Sequence, residues 1–369
     1  SGAGHLLSFT GTDNIPAVKL INDCYRGKET FVGGSVPATE HSVMCAGGKE
    51  SELETFRRLL KTYPSGVVSI VSDTWDFWNV ITNTAAELKE EILARVPDQF
   101  GLAKTVFRPD SGDPVRIICG DEIVDYTIDG EPLEVAADYM MDDLVDAEAN
   151  SAGHGEMGNP DVDGIMRFNG EYYKVSVEID WNRYDKQYYF VDGSRVTSIE
   201  KIELLPEQKG AVECLAEIFG TTTNDKGFKT LNQRVGLIYG DSITPQRAEA
   251  ILKRLMDKGY ASDNIVFGIG SYTFQYQTRD TLGFAMKATY VEIDGVGQAI
   301  FKDPKTDSGT KKSAKGLLQV DRVNGEYHLV NDVTILDEDE GELQTVFKNG
   351  EILFTESFET IRNRLVESM

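Results

Sequence analysis

Four short apolar runs in this chain each end in a polar turn built from aspartate, serine or glycine, and that recurrence limits the fold. Val67–Val71 stops at Ser72-Asp73, and Thr105–Phe107 runs into Arg108-Pro109-Asp110-Ser111-Gly112. Val235–Tyr239 leads to Gly240-Asp241-Ser242, and Ile265–Phe267 leads to Gly268-Ile269-Gly270-Ser271. β-Branched runs of this kind suit strands buried on both faces, as in a parallel sheet. Helix signals accompany them. Ile15–Tyr25 reads as a helix, and Leu53, Phe56, Leu60 and Tyr63 share a helical face before Pro64-Ser65-Gly66 ends it. Thr244 as N-cap and Pro245 behind it open a helix to about Lys258. Strands that feed helices through polar loops make an α/β barrel or sheet, with its site at the carboxyl ends of the strands.

One region breaks this rhythm. From about Arg116 to Gln208 the chain turns acidic and β-like, with alternation over Tyr172–Ile179. Asp192-Gly193, between Tyr188–Val191 and Arg195–Ile199, reads as a hairpin turn, and acidic, Gly-rich Asp142–Asp163 reads as a mobile loop. The expected organisation is therefore residues 1–115 as the first part of an α/β catalytic domain, 116–208 as an inserted β-rich module, and 209–369 as the second part. The alternative is that 116–208 belongs to the main sheet. Near the end, Lys348-Asn349-Gly350 marks a hairpin between Thr345–Phe347 and Ile352–Phe354, followed by an amphipathic helix from Phe358. Leu6–Phe9, ahead of Gly11-Thr12-Asp13, reads as strand-like.

Charge narrows the partners. A formal net charge of −24 argues against nucleic acid, so a phosphate-rich substrate needs locally clustered cations. No apolar run approaches membrane-spanning length, and Ser1–Thr10 lack the layout of a secretory signal. The four cysteines lie far apart with no CxxC pair, which fits a reducing cytoplasm and argues against a zinc ribbon.

There are only four histidines. His5 and His328 sit in strand-like runs and His154 in the Gly-rich stretch, where structural roles are the better reading. His41 stands at a loop-to-helix junction beside Glu40, with Asp73 available from the next strand end. A carboxylate on one ring nitrogen fixes the tautomer and leaves the other nitrogen nucleophilic. From its neighbours alone, His41 is as readily structural as catalytic. Arg108 and Asp110 present a guanidinium and a carboxylate from one rigid turn, suited to phosphate or a planar ring and to ribose hydroxyls. A charged turn capped by its own aspartate remains the alternative. Gly240, Asp241, Gly270 and Ser271 stand just past strands, where backbone N–H groups can approach a phosphate. Arg279, Lys287 and Lys302 supply cations, and Lys305, Lys311, Lys312 and Lys315 continue a basic loop.

In order, the segments GTDNIPAV, GGSVPATEHS, VVSIVSDTWDFWN, FRPDSGDP, LIYGDS, NIVFGIGS, QTRD, FKDP and TVFKNG resemble the nicotinamide phosphoribosyltransferase family. SVPATEH and RPDSGDP are specific, and the glycine loops support them. The resemblance implies a barrel-like α/β phosphoribosyltransferase domain and a cytoplasmic homodimer with sites at the subunit interface. It implies synthesis of nicotinamide mononucleotide from nicotinamide and phosphoribosyl pyrophosphate with Mg²⁺, coupled to ATP through a phosphorylated histidine. By the same resemblance His41 is that histidine, and Glu40 and Asp73 orient it. Asp13 and Ser35 fall in the base-binding segments, with Asp13 matching the carboxamide contact; Arg108 lies beside base and ribose. Asp110, Gly240 and Asp241 match the ribose region, Gly270 and Ser271 the phosphate loop, and Arg279, Lys287 and Lys302 the phosphate-holding cations. The family has a portion before the segment matching Gly4–Asp13 that this sequence lacks, so the expectation is either that the chain is a fragment or that a separate N-terminal polypeptide supplies the rest of the pocket. Two further readings stay open: a nicotinate phosphoribosyltransferase, and a complementing subunit active only with such a partner.

Overall fold

The computed structural model describes residues 2–25, 31–152, 156–183, 189–270, 286–301, 313–337 and 340–368. The chain divides into two compact units. One comprises Ser1–Val80, Glu90–Ser111 and Ile269–Met369; the other comprises Ile81–Lys89 and Gly112–Gly268.

In the first unit the strand Gly66–Val71 pairs in parallel with Ala103–Arg108, from Gly66 opposite Ala103 to Val71 opposite Arg108. Val68, Ile70, Val71, Val106 and Phe107 are buried, as continuous apolar runs in a parallel pair should be. Because the strands are in step, their carboxyl-end turns emerge side by side. The helix Glu52–Thr62 covers this pair, with Phe56 stacked on Phe107 at 6.2 Å between ring centroids. Its buried stripe is Glu52, Thr55, Phe56, Leu59 and Leu60. The expected stripe ending in Tyr63 is therefore rotated: Tyr63 caps the helix and is exposed, and a carboxylate takes a core position.

The helix Ile15–Cys24 forms, with the Asn14 side chain accepting from Ala17 N. Leu6–Phe9 does not form a strand. A helical turn, Gly2–His5, leads into it, and His5 stacks on Phe9 at 4.8 Å. Among the described residues three hairpins follow later in this unit: Tyr290–Ile293 with Val296–Ala299, Gln319–Val323 with Glu326–Val330, and Phe347–Lys348 with Glu351–Ile352. The last turns at Asn349 and Gly350, whose φ of 51° and 86° are the left-handed values that a two-residue hairpin requires. The helix Phe358–Ser368 closes the chain.

In the second unit Val235–Tyr239 and Ile265–Phe267 pair in parallel, Leu237 opposite Ile265. Thr244 caps the helix Pro245–Asp257 by accepting from Arg247 N at 3.2 Å. Within 116–208, a helix and strands build a core of their own. Leu133–Ala152 packs Ala136, Ala137 and Met140 against Met166, Phe168, Val175, Val177 and Ile179. The strands Asp161–Phe168, Glu171–Arg183 and Tyr189–Ile202 pair antiparallel, with short Val124–Asp125 parallel beside the first.

Two expectations fail in this module. Asp142–Asp163 is no loop through most of its length: its first part is helix to Ala152, because Leu133, Ala136, Ala137, Met140, Met141, Leu144 and Val145 recur at helical spacing. Asp192-Gly193 is no hairpin turn either. The strand runs through it, Asp180 pairing with Gly193 and Trp181 with Val191, so Asp192 is the extra residue of a bulge. His154 and Tyr188 lie outside the described residues. The architecture is α/β, and among the described residues the parallel strands do not close into a barrel. No helix among them is long and apolar enough to cross a membrane.

Candidate active site

The two strand-end turns of the first unit are tied together by one carboxylate. Asp73 is 1 % exposed, and its Oδ2 accepts from the Asp110 backbone N–H at 3.1 Å and from the Ser111 hydroxyl. Its Oδ1 meets His41 Nε2 at 3.0 Å. Burying a carboxylate is costly unless donors surround it, and here donors come from both turns and from the histidine. Ser72 completes the crossing: its N–H donates to Arg108 O at 2.9 Å, and its hydroxyl accepts from Arg108 N at 3.3 Å.

A third segment delivers the histidine. Ser69 N–H donates to Pro37 O, Thr39 N–H donates to Ser69 O, and Ala38 bridges Ser69 in parallel, so Pro37–Thr39 lies along the strand Gly66–Val71. Thr39 Oγ1 accepts from Val71 N at 2.9 Å, and Thr39 O accepts from the Arg108 guanidinium. The chain then turns at Glu40, whose extended backbone caps the helix His41–Cys45. His41 is therefore the first residue of that helix, 5 % exposed, with its ring held over Asp73.

The two ring nitrogens stand in different surroundings. Nε2 faces a buried carboxylate that accepts its proton in a hydrogen bond. Nδ1 faces exposed Glu40, whose Oε1 is 3.9 Å away. Buried Asp73 keeps the proton on Nε2, so the imidazolium beside Glu40 gives up its Nδ1 proton first, and the lone pair then stands on Nδ1. The hydrogen bond and charge of His41, helped by Lys287 and Arg108, hold the Glu40 carboxyl down at about 2 despite partial burial. Glu40 is an anion throughout the neutral range.

A separate pair lies at the amino-terminal end of this unit. Thr12 N–H donates to Gly34 O and Gly34 N–H to Thr10 O, which sets the Ser35 hydroxyl on Asp13 Oδ1. Lys287 is exposed, and its charge reaches Glu40. Gly270 is exposed, with open space where a Cβ would stand. Gly240 and Asp241 belong to the second unit. There Gly268 N–H donates to Tyr239 O at 2.8 Å, and a Cβ on Gly268 would come within 2.9 Å of Gly240 Cα. Only glycine permits that approach. Ser271, Arg279 and Lys302 lie outside the described residues.

Thus His41, Glu40, Asp73, Arg108 and Asp110 come together, and Asp13 joins Ser35. Ser111 and Thr39 are further participants that sequence reasoning did not single out, although both lie inside the two specific motifs. Glu52 was also missed. It is 7 % exposed, its Oε1 has no hydrogen-bond partner among the described residues, and burial with the nearby Asp76 charge pushes its carboxyl up to about 7. Its signal was its position in the 52/55/56/59/60 stripe. In chemical terms, the centre offers a tautomer-fixed imidazole, an anchored guanidinium and a strand-end carboxylate within one set of turns.

The sequence matches the model of the nicotinate phosphoribosyltransferase (NAPRTase) family over residues 2–139 and 191–351. It is 46 % identical to the nicotinamide phosphoribosyltransferase of Acinetobacter baylyi, over 100 % of this chain and 58 % of that protein. The enzyme of the same name from Mycoplasma pneumoniae is 33 % identical, over 85 % of this chain and 52 % of its own length. That of Xanthomonas campestris pv. campestris is 30 % identical, over 98 % of this chain and 58 % of its own. The chain thus spans somewhat over half the length of these relatives.

Proposed function

The chain belongs to the nicotinate phosphoribosyltransferase family, and from that premise we propose that it is the catalytic body of a nicotinamide phosphoribosyltransferase. Its reaction is the transfer of the phosphoribosyl group to nicotinamide, giving nicotinamide mononucleotide and pyrophosphate in NAD salvage. The observation that carries this reading is the buried Asp73 that joins His41 to the Arg108–Ser111 turn.

In this reading the two halves of the site have distinct work. Arg108 and Asp110 bind and orient base and ribose, and Gly270 and Ser271 contribute to the phosphate side. Cleaving the glycosidic bond develops oxocarbenium character on the ribose, which a nearby carboxylate stabilises, while Arg279, Lys287 and Lys302 take up charge on the departing pyrophosphate. His41 serves ATP coupling. Its Nδ1 attacks the γ-phosphorus of ATP, an N–P bond forms as the P–O bond to ADP breaks, and Asp73 holds the Nε2 proton. Glu40 orients the ring from its other side.

Mg²⁺ belongs to this reading as the ion that comes with the phosphoribosyl pyrophosphate. It keeps several waters and binds through one or two carboxylates plus substrate phosphates, and Asp110 stands at a strand end where it can be such a ligand. When bound, the ion neutralises charge on the leaving pyrophosphate. Asp13 carries base selectivity. A carboxylate accepts from the amide NH₂ of nicotinamide and repels the carboxylate of nicotinate.

The reading extends to a cytoplasmic location, which the free, widely spaced cysteines support, and to a homodimer, which the family resemblance implies. The test of the reaction compares nicotinamide with nicotinate as acceptor, using phosphoribosyl pyrophosphate and Mg²⁺. Nicotinamide mononucleotide is the expected product, with Asp13→Asn narrowing the preference. Preference for nicotinate contradicts the nicotinamide assignment. Product only when a separate amino-terminal polypeptide is added supports the complementing-subunit reading.

A further inference from the structure

The module of residues 124–202 leaves and rejoins the second unit through a neck that one lysine closes. Lys258 Nζ donates to Cys119 O at 2.9 Å and to Lys209 O at 2.7 Å, and it pairs with Glu213 at 2.7 Å. Its three N–H donors are thereby used. Arg254 donates to Gly120 O at 3.2 Å and pairs with Glu122 at 2.9 Å. Next to this neck the two sides of the chain part and leave a cleft of about 360 Å³. Arg167 and Tyr172 line it from the module; Lys229 and Tyr260 line it from the segment that follows. Both module residues fall between the ranges of the family match, 2–139 and 191–351.

Charges on these walls are unevenly satisfied. Glu213 and Glu122 are neutralised by Lys258 and Arg254, and Asp121 pairs with Arg116 at 2.8 Å. Lys229 has no carboxylate partner among the described residues; its ammonium lies over the Tyr260 ring, 5.4 Å from the centroid. A ring face holds a cation in place without using up its N–H donors. Arg167 reaches only Asp125, at a loose 3.7 Å. One further carboxylate lines the cleft, exposed Asp257. Tyr260 is 7 % exposed, and its hydroxyl meets no hydrogen-bond partner among the described residues; nor does that of Tyr172. Buried hydroxyls ordinarily find partners. Burial and the Glu213 charge push both phenols up, so each stays an O–H donor well past neutral pH. Two cations and two hydroxyls, all with donors to spare, thus line one cleft, and Val124 and Leu204 add apolar surface to it.

We propose that this cleft is a binding site for a small organic anion, a carboxylate or phosphate monoester carried on a planar apolar body. Lys229 and Arg167 take the acidic group from different walls, and the Tyr172 and Tyr260 hydroxyls donate to its oxygens. The body lies against Val124 and Leu204. A donor set rich in N–H and O–H, with most carboxylates already paired, selects an anion over a neutral molecule of the same shape. The space is sufficient, since small-ligand sites begin at about 300 Å³. None of these residues belongs to the centre around His41 or to the base and phosphate segments, so the site is independent of the reaction proposed above.

The test uses the full chain and the probes phenyl phosphate, benzoate and, as the neutral counterpart, phenol. Calorimetry should show binding of an anion, and the tighter of the two identifies the acidic group; phenol should bind about tenfold more weakly. Lys229→Met and Arg167→Met, at exposed positions and with apolar stems kept, should each weaken the anion about tenfold and leave the unfolding midpoint unchanged. In chain labelled with fluorotyrosine, the ¹⁹F lines of Tyr172 and Tyr260, assigned from Tyr172→Phe and Tyr260→Phe, should shift with the same midpoint as the heat. Anion binding that both methionine variants leave intact, or that moves neither tyrosine line, places the anion elsewhere and overturns the assignment. Phenol bound as tightly as the anions overturns recognition by charge, and binding of neither anion overturns the site.

Discussion

The turns around His41 and the strands around Val175 use the same side chains to opposite ends. In the module of residues 124–202, carboxylates and cations face water. Arg195 pairs with Glu178, Lys201 with Glu171 and Lys174 with Asp163, all substantially exposed. Solvent screens such pairs, and apolar residues beneath them hold the sheet together. Around His41 the order is inverted: Asp73 is buried, both its oxygens are engaged, and loss of a partner leaves a charge that water cannot reach. An acidic cluster in a sequence is therefore a poor guide to chemistry. One buried carboxylate that joins three segments says more than a dense acidic stretch.

The comparison breaks most sharply at Asp73. Asp73→Ala should lower ATP-coupled turnover by roughly a thousandfold, as removal of an orienting carboxylate does elsewhere, and cost about 3–5 kcal/mol of stability. Steady-state kinetics and urea unfolding check the two parts. Next is His41→Ala, which should abolish ATP stimulation while ATP-independent synthesis persists; rates with and without ATP read this directly. Unchanged stimulation removes His41 from the coupling.

Glu52 sharpens the contrast through pH. Its carboxyl titrates near 7 in the fold against 4.5 in the open chain. Between those values the folded state holds a proton that the unfolded state has released. Stability from this group is therefore greatest below 4.5, falls as pH rises towards 7, and levels off above. The total change is about 3 kcal/mol, from 1.36 kcal/mol per unit. Urea midpoints across pH 4.5–8 should show the fall in wild type and a flatter profile in Glu52→Gln. Identical profiles contradict a buried, proton-bearing Glu52.

In the module, effects should fall on stability and not on turnover. Val175→Ala opens space in a closed core and should cost about 2 kcal/mol, read by urea unfolding, with kcat unchanged. Arg195→Ala, at an exposed pair, should leave the unfolding midpoint unchanged within error.

The parts of the fold legible in the sequence were those set by local chemistry. Val67–Val71 and Thr105–Phe107 announce strands by side-chain type, Thr244-Pro245 announces a helix start, and Asn349-Gly350 a turn that needs positive φ. Asp142–Ala152 was misread because acidic composition masked a helical stripe of small and aliphatic residues. Asp192-Gly193 has the residues of a turn, but cross-strand pairing on both sides carried the strand through it. The site was legible as separate motifs. What the sequence alone did not disclose is which atoms meet: that Asp73 binds Nε2 and not Nδ1, that Ser111 shares it, and that Cys45 reaches Phe301 across 256 positions. Those are tertiary contacts with no local signal.

The most direct test of the central claim is the identity of the phosphorylated nitrogen. Asp73 on Nε2 leaves Nδ1 as the nucleophile, so ³¹P–¹H correlation on the ATP-treated, denatured chain should show phosphate on Nδ1 of His41. Phosphate on Nε2, or on another residue, contradicts the account.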